Sequence, residues 1–224
     1  MRRLVVLRPE PGASATVERA RALGLDAFAM PLFEVEPIAW EAPDPRQFDS
    51  LLLTSANAAR HGGGGLERLR DLPVYAVGEA TAAAARDAGF EIAGEGTSGV
   101  ERLLETIPPG ARLLHLCGEH RTATSAERIM AIPVYRAREL LPPVDLSEIA
   151  GQVVAVHSPR AGRRLAELVG QAGIDRATIR VAAISDAAAA AAGGGWAGCE
   201  AADAPHEAAL LALAARLCDK SATT

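Results

Sequence analysis

The sequence predicts an α/β protein of two lobes, each with a parallel sheet flanked by helices, joined by a two-stranded hinge. Three observations carry that prediction. Short apolar runs alternate with amphipathic stretches along the chain, two pairs of these units resemble one another, and two proline-flanked segments of alternating polarity bracket the middle.

The apolar runs are LVVL at 4–7, SLLLTS at 50–55, VYAVG at 74–78, LLHLCG at 113–118, VVAVHS at 153–158 and VAAIS at 181–185. A strand buried on both faces reads as such a continuous run, because neither face has to be polar. Between the runs lie TVERARALG at 16–24, GVERLLETI at 99–107 and AGRRLAELVGQAG at 161–173, whose apolar positions recur at helical spacing. Parallel strands need a crossover of a dozen or more residues, and these helices provide it.

The internal resemblance pairs SLLLTSANAAR and VYAVGEATAAAARDAGF with VVAVHSPRAGR and VAAISDAAAAAAGGGW. Each pair is a strand ending in serine, a helix, and a strand running into an alanine-rich helix, which suggests a duplicated half-domain. The bracketing segments are MPLFEVEPIAW at 30–40 and AIPVYRARELLPP at 131–143. If they pair, residues 41–130 form an inserted α/β domain and residues 1–35 with 140–224 a discontinuous one. Residues 36–40 and 131–139 are then the hinge strands, the lobes are expected to move, and the cleft between them is the default ligand site.

Composition excludes several function classes. A net charge of −5 lacks the basic footprint of a nucleic-acid or membrane-surface binder, and 4% aromatic residues leave few platforms for stacking bases. The four-residue run LVVL is too short for a signal-peptide core, and the three cysteines, Cys117, Cys199 and Cys218, lack CxxC spacing, so a cytoplasmic protein with reduced thiols is expected.

Candidate chemistry lies at the strand ends. In VYAVGEATAAAARDAGF a strand ends on Gly78 and a helix begins near Thr81. A helix start offers unpaired N–H groups and the positive end of its dipole, so this turn is either an anion seat or simply a βα turn with a capping hydroxyl. HLCGEH at 115–120 is a core strand before it is a metal site, since His115 and Cys117 alternate along the strand and no fourth ligand is evident. His157 reads as a strand residue. GGGG at 62–65 and GGG at 193–195 lack the lysine of a P-loop and read as flexible loops, and the alanines at 187–192 read as a helix face.

Taken in order, LLLTSANAA, VYAVGEATAAAARDAGF, EGTSGVERLLE, LLHLCGEHR, PVYRA, VVAVHSPRAG and APHEAALLAL resemble the uroporphyrinogen-III synthase family. The resemblance implies a cofactor-free, monomeric, metal-independent lyase of tetrapyrrole and haem biosynthesis. Its substrate would be hydroxymethylbilane, a small molecule with eight carboxylates, cyclised with inversion of ring D to uroporphyrinogen III and water. Such a reaction needs a fold that arranges a flexible polyanion and a proton donor near the departing hydroxyl. The substrate-binding residues implied are Ser55, Gly78, Thr81, Ser98 and Ser158 at strand ends, with Arg8 and Arg121, out of a wider set of arginines that includes Arg60, Arg136, Arg138 and Arg160. Tyr135 takes the place of the tyrosine proposed as proton donor.

Ser185, Asp186, Ala187 and Ala188 depart from the glycine and threonines expected after that strand, and His206 stands where threonine is frequent. Asp186 would repel a substrate carboxylate if turned inward, or it could cap the helix that follows. Two alternatives therefore stay open: a two-lobed small-anion-binding or regulatory protein, and an inactive synthase homologue.

Overall fold

The computed structural model describes residues 2–96, 99–120, 127–140 and 145–219, so the expected site residues Ser98 and Arg121 lie outside the described residues. In chain order the first elements are β1 (Leu4–Val6), α1 (Gly12–Ala22), β2 (Ala27–Ala29), β3 (Phe33–Pro37), β4 (Ser50–Leu53), α2 (Ala56–His61), β5 (Val74–Val77) and α3 (Glu79–Asp87). Then follow β6 (Ile92–Gly96), α4 (Val100–Thr106), β7 (Leu113–Gly118), β8 (Ile129–Glu139), β9 (Val153–Val156) and α5 (Pro159–Gln171). The chain closes with β10 (Arg180–Ala183), α6 (Asp186–Ala192), β11 (Gly198–Ala201) and α7 (Glu207–Asp219). It divides into two compact units, Met1–Glu34 with Glu139–Thr224, and Val35–Arg138.

The first unit holds a five-stranded sheet in the order β11-β10-β9-β1-β2, parallel throughout. Strands β1 and β9 are buried along their whole length, as their unbroken apolar runs require. Leu4, Val6, Val153 and Ala155 pack under α7 through Leu210, Leu211 and Leu213, each fully buried side chain of this size contributing about 1.5–3 kcal/mol. The alanine run makes a helix that lets α5 approach backbone to backbone. A Cβ on Gly162 would lie 2.8 Å from the Ala188 carbonyl oxygen, so glycine is required there.

The second sheet has the order β3-β8-β7-β4-β5-β6. Strands β8, β7, β4, β5 and β6 are parallel. Strand β3 is not: Ile38 N–H donates to Val134 O at 3.2 Å and Leu140 N–H to Leu32 O at 3.0 Å, so β3 and β8 run in opposite directions. The strands of the inserted segment are thus parallel as expected, and the expected pair of hinge strands, β3 and β8, is part of this same sheet and makes it mixed. No crossover helix joins these two strands; they are the chain's way into and out of the inserted segment, which opposes them.

The internal repeat appears in the topology. In the second unit the strands β4 to β8 lie in the order 3-2-1-4-5, and the first unit has that same order when it is read from β9 to β11 and then on to β1 and β2. Strands β4 and β9 take equivalent places, and so do β5 and β10, as their sequences suggest. The loop expected at 62–65 is instead the entrance to a 3-10 stretch, Gly63–Leu69. Trp40 Nε1–H donates to Gly62 O at 2.8 Å, and a Cβ on Gly65 would meet the Trp40 ring at 2.5 Å.

Candidate active site

In an open parallel sheet, ligands bind outside the carboxyl ends of the strands where the strand order reverses. In the second unit that place lies between β4 and β7. Thr54 and Ser55 follow β4, Gly118 ends β7, and Tyr135 stands beside Gly118 on β8. The Ser55 side chain caps α2, accepting the Asn57 N–H at 3.2 Å. The Ser55 hydroxyl also stands close enough to the Tyr135 phenol to favour its ionised form.

Tyr135 is half-buried, and burial raises its phenol above the ordinary value of 10. The Ser55 hydroxyl opposes that rise and neighbouring Cys117 adds to it. The ring of His61, the last residue of α2, lies 6.5 Å from the Tyr135 ring at a tilt of 41°. Burial lowers the His61 pKa, with Arg60 adding to the shift, so an uncharged imidazole faces the phenol. Beneath, His115 is 2% exposed on β7 with Nε2 3.0 Å from Thr54 Oγ1, which makes it the core residue its alternation implied.

The turn after β5 differs from the capping-hydroxyl reading. Gly78 is the N-cap of α3, at φ +84°, and Thr81 is the third helical residue, 5% exposed, with no side-chain cap bond at this helix. Gly78 N–H is taken by Gly96 O at 2.7 Å, and the N–H groups of Thr81 and Ala82 close on Gly78 O at 3.0 and 3.1 Å. Only a residue free to adopt positive φ makes this turn without strain, hence glycine. Thr81 is thus placed by the helix's inward face.

In the first unit the reversal lies between β1 and β9, where Arg8, His157 and Ser158 follow the strands. Ser158 Oγ caps α5 by accepting Ala161 N–H at 3.2 Å. Arg8 Nη1–H donates to Glu207 Oε2 at 2.8 Å and to Thr16 Oγ1 at 3.4 Å; Thr16 also donates to Glu207, and Arg19 stands 3.5 Å from it. Burial and the Arg8 charge hold His157 down to about 4, against smaller opposing effects of Glu207 and the Ala155 backbone. Asp186 does not cap α6; Ser185 Oγ does, accepting Ala188 N–H at 3.3 Å. His206 Nδ1 accepts Ala209 N–H at 3.2 Å, so the histidine does the capping work that a threonine hydroxyl would do before α7.

Other arginines from the sequence are drawn to acids of the protein. Arg136 and Arg138 share Glu36, at 2.6 and 3.4 Å, while Arg160 lies 4.5 Å over Phe33 and 4.0 Å from Glu139. Sequence reasoning missed Glu207, His61 and the part played by Gly118. Their partners are far along the chain, and no local spacing marks them. Among the described residues no group of three or more His, Cys, Asp or Glu is arranged to hold a metal ion.

The family model described as uroporphyrinogen-III synthase HemD matches residues 14–212. The chain belongs to the uroporphyrinogen-III synthase family. It is thereby placed among cyclising lyases of haem biosynthesis, and the small-anion-binding alternative is not favoured. The two-lobed synthase fold is shared with the crystal structure of uroporphyrinogen-III synthetase from Helicobacter pylori 26695, at 19% identity and a TM-score of 0.64 over 97% of this chain and 100% of that one. It is also shared with a mutant uroporphyrinogen III synthase from the extremely thermophilic bacterium Thermus thermophilus, at 18% identity and a TM-score of 0.51 over 99% and 100%. No curated protein sequence matches this synthase-family chain.

Proposed function

We propose that this synthase uses Tyr135 as the acid that releases the hydroxyl of hydroxymethylbilane. The observation that carries this reading is the half-buried phenol placed at the strand-order reversal, beside Gly118 and near Ser55. Hydroxide is a poor leaving group; a proton delivered to the oxygen lets it depart as water and leaves an electrophilic azafulvene. A phenol whose pKa lies above 10 is fully protonated at neutral pH and has the proton to give. As the proton leaves, the nearby Ser55 hydroxyl favours the developing phenolate, and a proton lost from the closing pyrrole restores the phenol. Carbon–carbon closure through the substituted carbon of ring D, fragmentation and inverted reclosure call on no protein nucleophile, so the remaining task is holding the polyanion.

That task we assign to Ser55, Gly78, Thr81 and Ser158 with Arg8, and to Ser98 and Arg121 outside the described residues. Arg8 retains guanidinium donors beyond the Nη1 engaged by Glu207. The enzyme acts as a cytoplasmic monomer on a small molecule, without nucleic acid. The net charge of −5 supports the last point, and no described helix is long and apolar enough to cross a membrane.

Enzymatically generated hydroxymethylbilane, with no metal or nucleotide added, is expected to yield predominantly the type III isomer when products are oxidised and resolved. Type I dominance at every enzyme concentration would overturn the reading in favour of an inactive homologue. Thr81→Ala is expected to lower kcat/KM about tenfold, the equivalent of about 1.4 kcal/mol of lost transition-state binding. Turnover per folded molecule that stays normal would make Thr81 a packing residue of α3.

A further inference from the structure

We propose that Gly118 is a positioning residue whose bare backbone is the seat of the Tyr135 phenol. The inference rests on the reading of Tyr135 as proton donor, and adds to it the device that aims the donor.

The device begins with Pro133. Along β7 and β8 the register runs Leu116 opposite Ile132 and Cys117 opposite Pro133, then shifts to put Gly118 opposite Tyr135. Val134 is the extra residue, and its side chain is fully buried in the core of the second unit. A bulge of this kind re-aims the next side chain, and proline, with no N–H to give the ladder, is suited to a bulge. Beyond it Glu119 N–H donates to Tyr135 O at 2.9 Å, which pins the tyrosine backbone to the end of β7.

Neighbouring residues on parallel strands project to the same face, so a side chain at Gly118 would occupy the place of the Tyr135 ring. A Cβ there would lie 2.9 Å from Cζ, 3.0 Å from Cε2 and 3.1 Å from the phenol oxygen. Contacts so short force one partner to shift. Val134 anchors the backbone of Tyr135, so the ring must swing, carrying its hydroxyl away from Ser55. The glycine thus matters for the space it leaves and not for backbone freedom, since its φ is not positive.

The chain has two tyrosines, Tyr75 and Tyr135, so a Tyr75→Phe background makes phenolate absorbance report Tyr135 alone. In that background Gly118→Ala is expected to move the phenol's titration midpoint down toward the ordinary 10, because the burial that the displaced ring loses, the larger influence, outweighs the opposing influence of Ser55 that it loses with it. With hydroxymethylbilane, Gly118→Ala is expected to lower kcat about tenfold or more with little change in KM, and to cost nothing further when Tyr135→Phe is already present. An unchanged midpoint overturns the seat and leaves the donor standing. A fully active Tyr135→Phe overturns the donor, and the midpoint still decides the seat. If Gly118→Ala does not fold, Gly118→Ala with Tyr135→Leu, which vacates the ring's space, must fold; failure of that pair overturns the proposal.

Discussion

Tyr135→Phe is expected to lower kcat about a hundredfold with little change in KM, the loss typical of removing a general acid whose ring also packs. The substitution deletes one oxygen and keeps the ring that lies over Gly118 beside His61. Folding should therefore be preserved, and the loss should fall on the chemical step. Ser55 keeps its bond to Asn57 N–H, so the α2 cap also survives. Steady-state kinetics at saturating hydroxymethylbilane, with melting as a control, checks the result. A fully active Tyr135→Phe would mean that water or a carboxyl of the substrate delivers the proton.

Stability is expected to fall by about 3 kcal/mol as pH drops from about 6.5 to about 4, through His157 alone. In the unfolded chain this histidine takes up a proton near its ordinary 6.5; in the folded protein, burial and the Arg8 charge delay that to about 4. Between those values the unfolded state binds more protons, so stability rises with pH across this window. It is complete above 6.5, and the loss is complete below about 4. Urea midpoints of the native protein and of His157→Gln, taken across the window, test this. Carboxylates whose pKa is lowered by arginine partners, such as Glu36 and Asp49, also weaken the fold on acidification, but equally in both proteins. Identical pH slopes for the two proteins would show that His157 contributes nothing.

Much of the fold was legible along the chain, for a physical reason. A strand covered on both faces has to be apolar at every position, and VVAV and SLLL announce themselves by composition alone. The serines after those strands were legible as strand ends but not as caps: Ser55, Ser158 and Ser185 each accept a first-turn amide, and at the last of these the sequence pointed to Asp186 instead. Tyr135 was found by family resemblance in PVYRA, not from local chemistry.

Direction and long-range pairing were decided only by the tertiary structure. Alternation of polarity does not say whether a strand runs up or down its neighbour, so the sequence named the pair β3 and β8 but not that they join the larger sheet in opposite directions. The hydroxyl of VGEAT read either as an anion seat or as a cap, and it was a glycine at positive φ that took the cap and turned Thr81 inward. Arg8 is separated from Glu207 by 199 residues, and only the sheet that brings β1 to the helix after β11 makes them partners. Pro133 was plain to read, but its consequence was not. Which residue a bulge displaces, and which glycine then lies beneath the tyrosine, depends on the register with a neighbouring strand, and register is set by how the buried faces pack.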